Sequence, residues 1–189
     1  MTNPATEPSS ASDSAAAAPI YALLSRILLN EIDHDLIATL ENEVFLDTLE
    51  PIAPGLRLYV STFDEASAEL AAEEFTRLFI LPQGVAPRAA AWIDGELETV
   101  GARLSYKTQH YIELLGREID TSVAGKLPLD HLGLLLDLAA VSAGTEQGAA
   151  VVRDLIEPWA YRYGDALSRR ASCPVYVAAG QLLKELHPQ

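Results

Sequence analysis

What most constrains this chain is the spacing of its large apolar residues, which from Pro19 onward recur at helical intervals and show no alternation of the kind a half-buried strand needs. Ile20, Leu23, Leu24, Ile27 and Leu28 fall at i, i+3, i+4, i+7 and i+8, so a helix turns them to one side, with Pro19 suited to its first turn. Asp33 or Asp35 is placed to cap a second helix that runs to about Leu49 and stops at Pro51. A short helix is expected over Leu56 to Phe63. Thr62 followed by Glu65 makes a capping-box pattern, opening a helix with Ala71, Phe75, Leu78 and Phe79 on one face that ends near Leu81 and Pro82.

Residues 82–95 hold two prolines and two glycines around Trp92, which predicts an ordered loop with an aromatic anchor. A long amphipathic helix follows, with Leu97, Val100, Leu104, Tyr111 and Leu115 on its apolar stripe. After a second loop, TSVAGKLP, the stretch from Asp130 to Ala143 is apolar on nearly every face, as a helix in the middle of a bundle is. Pro158 and Pro174 divide the last third into three helices, roughly Glu146–Glu157, Trp159–Ala171 and Val175–His187. The expected fold is therefore all-α, a single-domain helical bundle of about eight to ten helices over residues 19–189. Residues 1–18, rich in Pro, Ser, Thr and Ala, lack the apolar surface to offset chain entropy and are expected to be a disordered tail.

Composition narrows the function classes. With 13 Lys+Arg against 27 Asp+Glu, the chain carries −14, or −12 without Glu7 and Asp13 of the tail. No basic stripe is present to release counterions from a nucleic acid, so a cationic partner is the expectation. A lone cysteine, Cys173, leaves no internal disulfide and points to a reducing compartment. The first residues show neither a basic n-region nor a long apolar h-region, and the longest apolar run, Leu132 to Val141, is short and interrupted by Asp137. A cytoplasmic location without a membrane span is expected.

Signatures of catalysis are missing: there is no GxGxxG, GxxxxGK[ST], GxSxG or HExxH. His110 and Glu113 share a helix face, but a bundle di-metal site needs Glu-x-x-His twice and two more carboxylates. A metal or nucleotide site using His110, Glu113, Asp130 and His131 is the competing reading. His34 and His187 fall at helix ends and read as exposed. Cys173 has Arg169 and Arg170 one turn back but no neighbouring base, so it reads as a structural thiol. No cofactor or metal is expected, and no enzymatic activity.

Three segments, FTRLFILP at 75–82, LPLDHLGLLLDLAA at 127–140 and IEPWAYRYGDAL at 156–167, change the weighing. Together and in this order they resemble the TorD/DmsD/NarJ family of redox-enzyme maturation chaperones over residues 20–187. That family shows an aromatic-x-Arg-Leu-Phe helix, a loop rich in Pro and Trp, Pro-x-Asp-His opening a central helix, and a Pro-Trp junction. The resemblance implies a cytosolic all-α chaperone that binds the twin-arginine signal peptide of a molybdenum-containing oxidoreductase and holds it back until its cofactor is inserted. It also implies a monomer or domain-swapped dimer, for which the loops at 82–95 and 120–128 are the candidate hinges.

Carried over by position, Pro128, Asp130 and His131 match Pro-x-Asp-His, which the resemblance places at the client groove; Trp92 in the loop, Asp137 and Phe79 are further candidates for client contact. Asp130 either accepts an arginine fork from the client or caps the helix, with His131 at its first turn. Asp137, in an apolar helix, needs a partner, either Arg77 or Arg153 internally or the client. Trp159 with Pro158 reads as a packed junction. The chain departs from the family at Leu81, where Gly is usual, at Ala89, where the family has its loop Trp, and at Leu127, where it has Glu. These departures suggest a divergent branch with its own client.

Overall fold

The computed structural model describes residues 10–94, 96–117 and 127–188, without the side chains of 10–15 and Leu97. Among these residues the chain is all-α and contains no strand, as the apolar spacing predicts. Helix α1 (Ser10–Leu29) starts well before Pro19, which lies inside it instead of at its first turn. Ala15 to Ala18 have the highest helix propensity and extend the helix back through this stretch, despite the backbone donor that Pro19 lacks. Of the expected tail, residues 1–9 lie outside the described residues.

The single helix expected up to Leu49 is two, α2 (His34–Leu40) and α3 (Glu43–Leu49). Asp33 caps α2 by accepting from Leu36 N, and Asn42 interrupts the run by accepting from Val44 N, which starts α3 afresh. Helix α4 (Leu56–Ser61) follows. Helix α5 (Glu65–Phe75) is capped by Asp64, which accepts from Ser67 N and Ser67 Oγ, so the expected Thr62 capping box does not form. It widens into a π turn over Thr76–Ile80 and stops at Leu81, held extended ahead of Pro82.

Helix α6 (Leu97–Leu114) leads to the segment 118–126, which is outside the described residues and takes most of the expected second loop and hinge with it. Helix α7 (Leu132–Val141) is the middle of the molecule, with Leu132, Leu135, Leu136 and Ala139 almost wholly buried. It packs closely on α1. Ser25 Oγ donates to the Gly133 carbonyl at 2.8 Å, and Gly133 allows the approach, since a Cβ there would lie 2.6 Å from Leu29 Cγ.

Pro158 does not divide the last third as expected. Helix α8 (Glu146–Val151), a π turn over Val152–Ile156 and helix α9 (Glu157–Arg170) run on without a break. The widened turn accommodates a residue that cannot donate to the preceding turn, and Trp159 Nε1 donates to the Leu155 carbonyl at 2.7 Å. Pro174 opens α10 (Pro174–Leu186), which lies against α9 where Gly164 and Gly180 meet. One continuous apolar core runs through all these helices, with Trp159, Tyr163 and Tyr176 its largest buried side chains.

Candidate functional site

The loop between α5 and α6 is the part of the chain that the fold holds by side chains from elsewhere. Residues 87–90 lie antiparallel to residues 130–132. Leu132 N donates to the Pro87 carbonyl at 2.8 Å, and Ala89 N donates to the Asp130 carbonyl at 3.0 Å. Asp130 is fully buried, and both of its carboxylate oxygens are used: Oδ1 by Arg88 Nε at 3.2 Å and Oδ2 by Ala90 N at 3.1 Å. It therefore neither caps α7 nor turns its carboxylate to solvent; it accepts an arginine of its own chain.

His131 is the cap of α7. Its Nδ1 accepts from Gly133 N at 3.2 Å, which leaves the proton of the neutral ring on Nε2. Burial pushes its pKa down to about 4, against the opposing pull of Asp130. Pro128 is half-buried, and its carbonyl accepts from His131 N at 3.0 Å. Pro128, Asp130, His131 and the Arg88 loop thus form one unit at the start of α7.

Trp92 anchors the same loop. Its Nε1 donates to the Ala86 carbonyl at 2.8 Å, its ring meets Tyr163 edge-on at 5.6 Å, and Arg162 of α9 donates to its carbonyl. Tyr163 also meets Trp159 edge-on at 5.7 Å, so the packed junction expected at Pro158–Trp159 forms and extends to the loop.

Two of the six candidates lie apart from this unit. Phe79 is a core residue, edge-on to Phe75 and Tyr176 at 5.0 and 5.4 Å. Asp137 is exposed, which corrects the expectation of an internal partner: Arg77 pairs with Glu74, and Arg153 pairs with Asp154. The register of α7 turns residue 137 outward beside the exposed Val141, so no buried charge has to be matched, and neighbouring apolar atoms only raise its pKa.

Sequence reasoning missed the groups that tie the end of α5 and the following loop to the α9–α10 junction. Glu74 accepts from Ser172 N and Cys173 N at 2.6 and 3.0 Å, serving free donors at the start of α10. Arg77 donates to the Arg170 carbonyl at 3.1 Å, while Arg170 donates to the carbonyls of Gln83 and Gly84. Gly84 is required here, because a Cβ would lie 2.3 Å from the Leu78 carbonyl oxygen. The only local hint was an arginine pair beside a proline junction.

His187 is a second correction. It is 4 % exposed instead of solvated, stacked on Tyr21 with the rings 10° from parallel, and neither ring nitrogen has a partner among the described residues. Burial pushes its pKa down to about 4. The Cys173 thiol is buried and its pKa is raised, opposite to an activated thiolate. Among the described residues no three His, Cys, Asp or Glu side chains converge as metal ligands, so His110, Glu113, Asp130 and His131 do not form one metal site. Nor is any helix there long and apolar enough to cross a membrane.

No family model matches the chain, and no curated protein does.

Proposed function

We propose that this protein is a chaperone, not an enzyme: a cytosolic partner of one molybdenum-containing oxidoreductase subunit, which it engages through the twin-arginine signal peptide and holds for cofactor insertion before export. The observation that carries this reading is that the three resembling segments converge on one piece of architecture. FTRLFILP reaches the α9–α10 junction through Arg77, the loop after it joins LPLDHLGLLL through Arg88 and Asp130, and Trp92 joins the loop to IEPWAYRYG at Tyr163. Three short motifs that meet in space are a stronger sign of shared architecture than three motifs in a line.

Charge supports the partner class. A chain at −14 that also exposes apolar side chains such as Leu58, Leu70 and Leu114 suits a segment that carries arginines next to an apolar stretch, since arginine pairs with carboxylates and apolar segments lie in grooves between helices. Asp130 contributes through the loop it holds in place, because its own carboxylate is already engaged.

Co-expression with a molybdenum-containing oxidoreductase subunit of the same organism, with and without its signal peptide, tests the proposal. The expected result is higher molybdenum content of the signal-bearing subunit when this protein is present, and co-purification of the two. Equal molybdenum content with and without the protein for both forms of the subunit overturns it. Dependence that survives removal of the signal peptide reassigns the protein to the mature subunit.

A further inference from the structure

Away from the loop, an apolar cleft of about 200 Å³ opens where α1, α3 and α10 meet, lined by Ile20, Leu23, Val44, Phe45, Leu49 and Leu182. The one other lining residue, Thr48, already donates its hydroxyl to the Val44 carbonyl at 2.7 Å. Such a cleft is smaller than the roughly 300–1,000 Å³ of small-molecule sites and offers no free polar group to orient a metabolite. It has room for apolar side chains. Val44 stands at its edge and is 74 % exposed.

The wall formed by α3 is acidic: the helix contains Glu43 and Asp47 and no Lys or Arg. Glu43 and Asp47 flank Val44 on α3 and share the single Arg57, while Glu185 is exposed one turn beyond Leu182 on α10. We infer that this cleft docks a cationic amphipathic helical segment of a partner protein, whose apolar side chains enter beside Val44 and whose Lys or Arg residues meet the acids of α3 and α10. Helix-in-groove recognition uses this division of labour: apolar anchors seat the segment, and the charged margin speeds encounter. The inference deepens the chaperone reading and rests on it for the identity of the segment, but the chemistry of the cleft is argued from its own lining.

The test uses a labelled Leu/Lys amphipathic peptide and the twin-arginine signal peptide in parallel, titrated by fluorescence anisotropy against the full chain, Val44→Lys and, as a remote change of equal charge, Glu113→Gln on α6. Thermal unfolding confirms that each variant folds. Val44 is mostly in water, so its replacement leaves the core intact. The expected result is at least about tenfold weaker binding of both peptides to Val44→Lys, no more than about twofold to Glu113→Gln, and weakening as salt rises from about 0.05 to 0.3 M. If both peptides bind Val44→Lys as well as wild type, or neither binds wild type, the cleft is not a docking site. If the Leu/Lys peptide binds in a Val44-sensitive way and the signal peptide does not bind, the cleft stands and the chaperone reading falls. If the signal peptide binds all three proteins equally, the chaperone reading stands and the cleft falls. Sedimentation showing that Val44→Lys converts a dimer to a monomer would instead assign the cleft to a second copy of the chain and overturn the proposal.

Discussion

Arg88 Nε lies 3.2 Å from Asp130 Oδ1, and this ion pair, 42 residues apart in sequence, fastens the α5–α6 loop onto the start of the central helix. The two sides are unequal: the aspartate side chain is 0 % exposed and the arginine side chain 42 %. Removing the arginine therefore leaves a buried carboxylate with only the Ala90 amide, whereas changing the acid to a neutral amide keeps an acceptor for that N–H. Arg88→Ala is expected to lower stability by about 2–4 kcal/mol and Asp130→Asn by less, in urea unfolding. Equal, near-zero losses for both would mean that the pair does not hold the loop.

The acid limb of stability follows from two buried histidines. His131 and His187 both have folded pKa values pushed from 6.5 to about 4 by burial, so the unfolded chain takes up the protons first. Stability is full above about pH 6.5 and falls as the pH drops from there toward about 4, by about 2 kcal/mol per histidine at pH 5. The cap carboxylates Asp33 and Asp64, whose pKa values are lowered mainly by backbone N–H donors, lose their contributions only below this window. Unfolding free energies at pH 7 and pH 5 check the drop, and equal values at both would contradict it.

His187→Phe separates the two histidines. Phenylalanine keeps a ring against Tyr21 while removing nitrogens that have no partner among the described residues. Since a buried unsatisfied polar group costs about 1–3 kcal/mol, this variant is expected to be about 1 kcal/mol more stable at pH 7 and to halve the loss between pH 7 and pH 5. A destabilised variant would show that the imidazole makes a bond the ring geometry does not reveal.

Gly180 sets the α9–α10 distance. A Cβ there would lie 2.6 Å from Ser168 N and 2.7 Å from the Gly164 carbonyl oxygen, both backbone atoms that cannot rotate away. Gly180→Ala is expected to cost about 1–3 kcal/mol despite the better helix propensity of alanine. Gly101→Ala is the control: its nearest contacts would be at 3.6 Å, so it is expected to be neutral or stabilising by up to about 1 kcal/mol. A differential-scanning melt of the two variants decides this, and similar Tm shifts would contradict the close crossing.

Helices were legible wherever burial imposed a period: Leu24, Leu28, Val100 and Leu104 are on the apolar faces that their spacing predicts and are buried. Boundaries set by one local side chain were partly missed, because Asn42 and Asp64 compete with equally plausible neighbours for the same capping role. Pro158 misled because a π turn absorbs a proline that sequence spacing treats as a break. The candidate site was the least legible part. Asp130 and His131 could be picked out, but Arg88, Glu74 and Arg170 act across 42 to 99 residues of chain, and a long-range ion pair or cap leaves no periodic trace in sequence. Asp137 shows the reverse: an acid inside an apolar run looks buried until the helix register turns it outward.

Recognition of an arginine-bearing apolar segment is measured by a calorimetric titration of this protein with the twin-arginine signal peptide of a molybdenum-containing oxidoreductase from the same organism. A second titration uses the same peptide with both arginines replaced by glutamine. The expected result is saturable one-to-one binding of the native peptide that weakens with salt, and binding at least about tenfold weaker for the glutamine peptide through the loss of charge-assisted pairs to acidic side chains. Equal binding of the two peptides, or no binding of either, would contradict it.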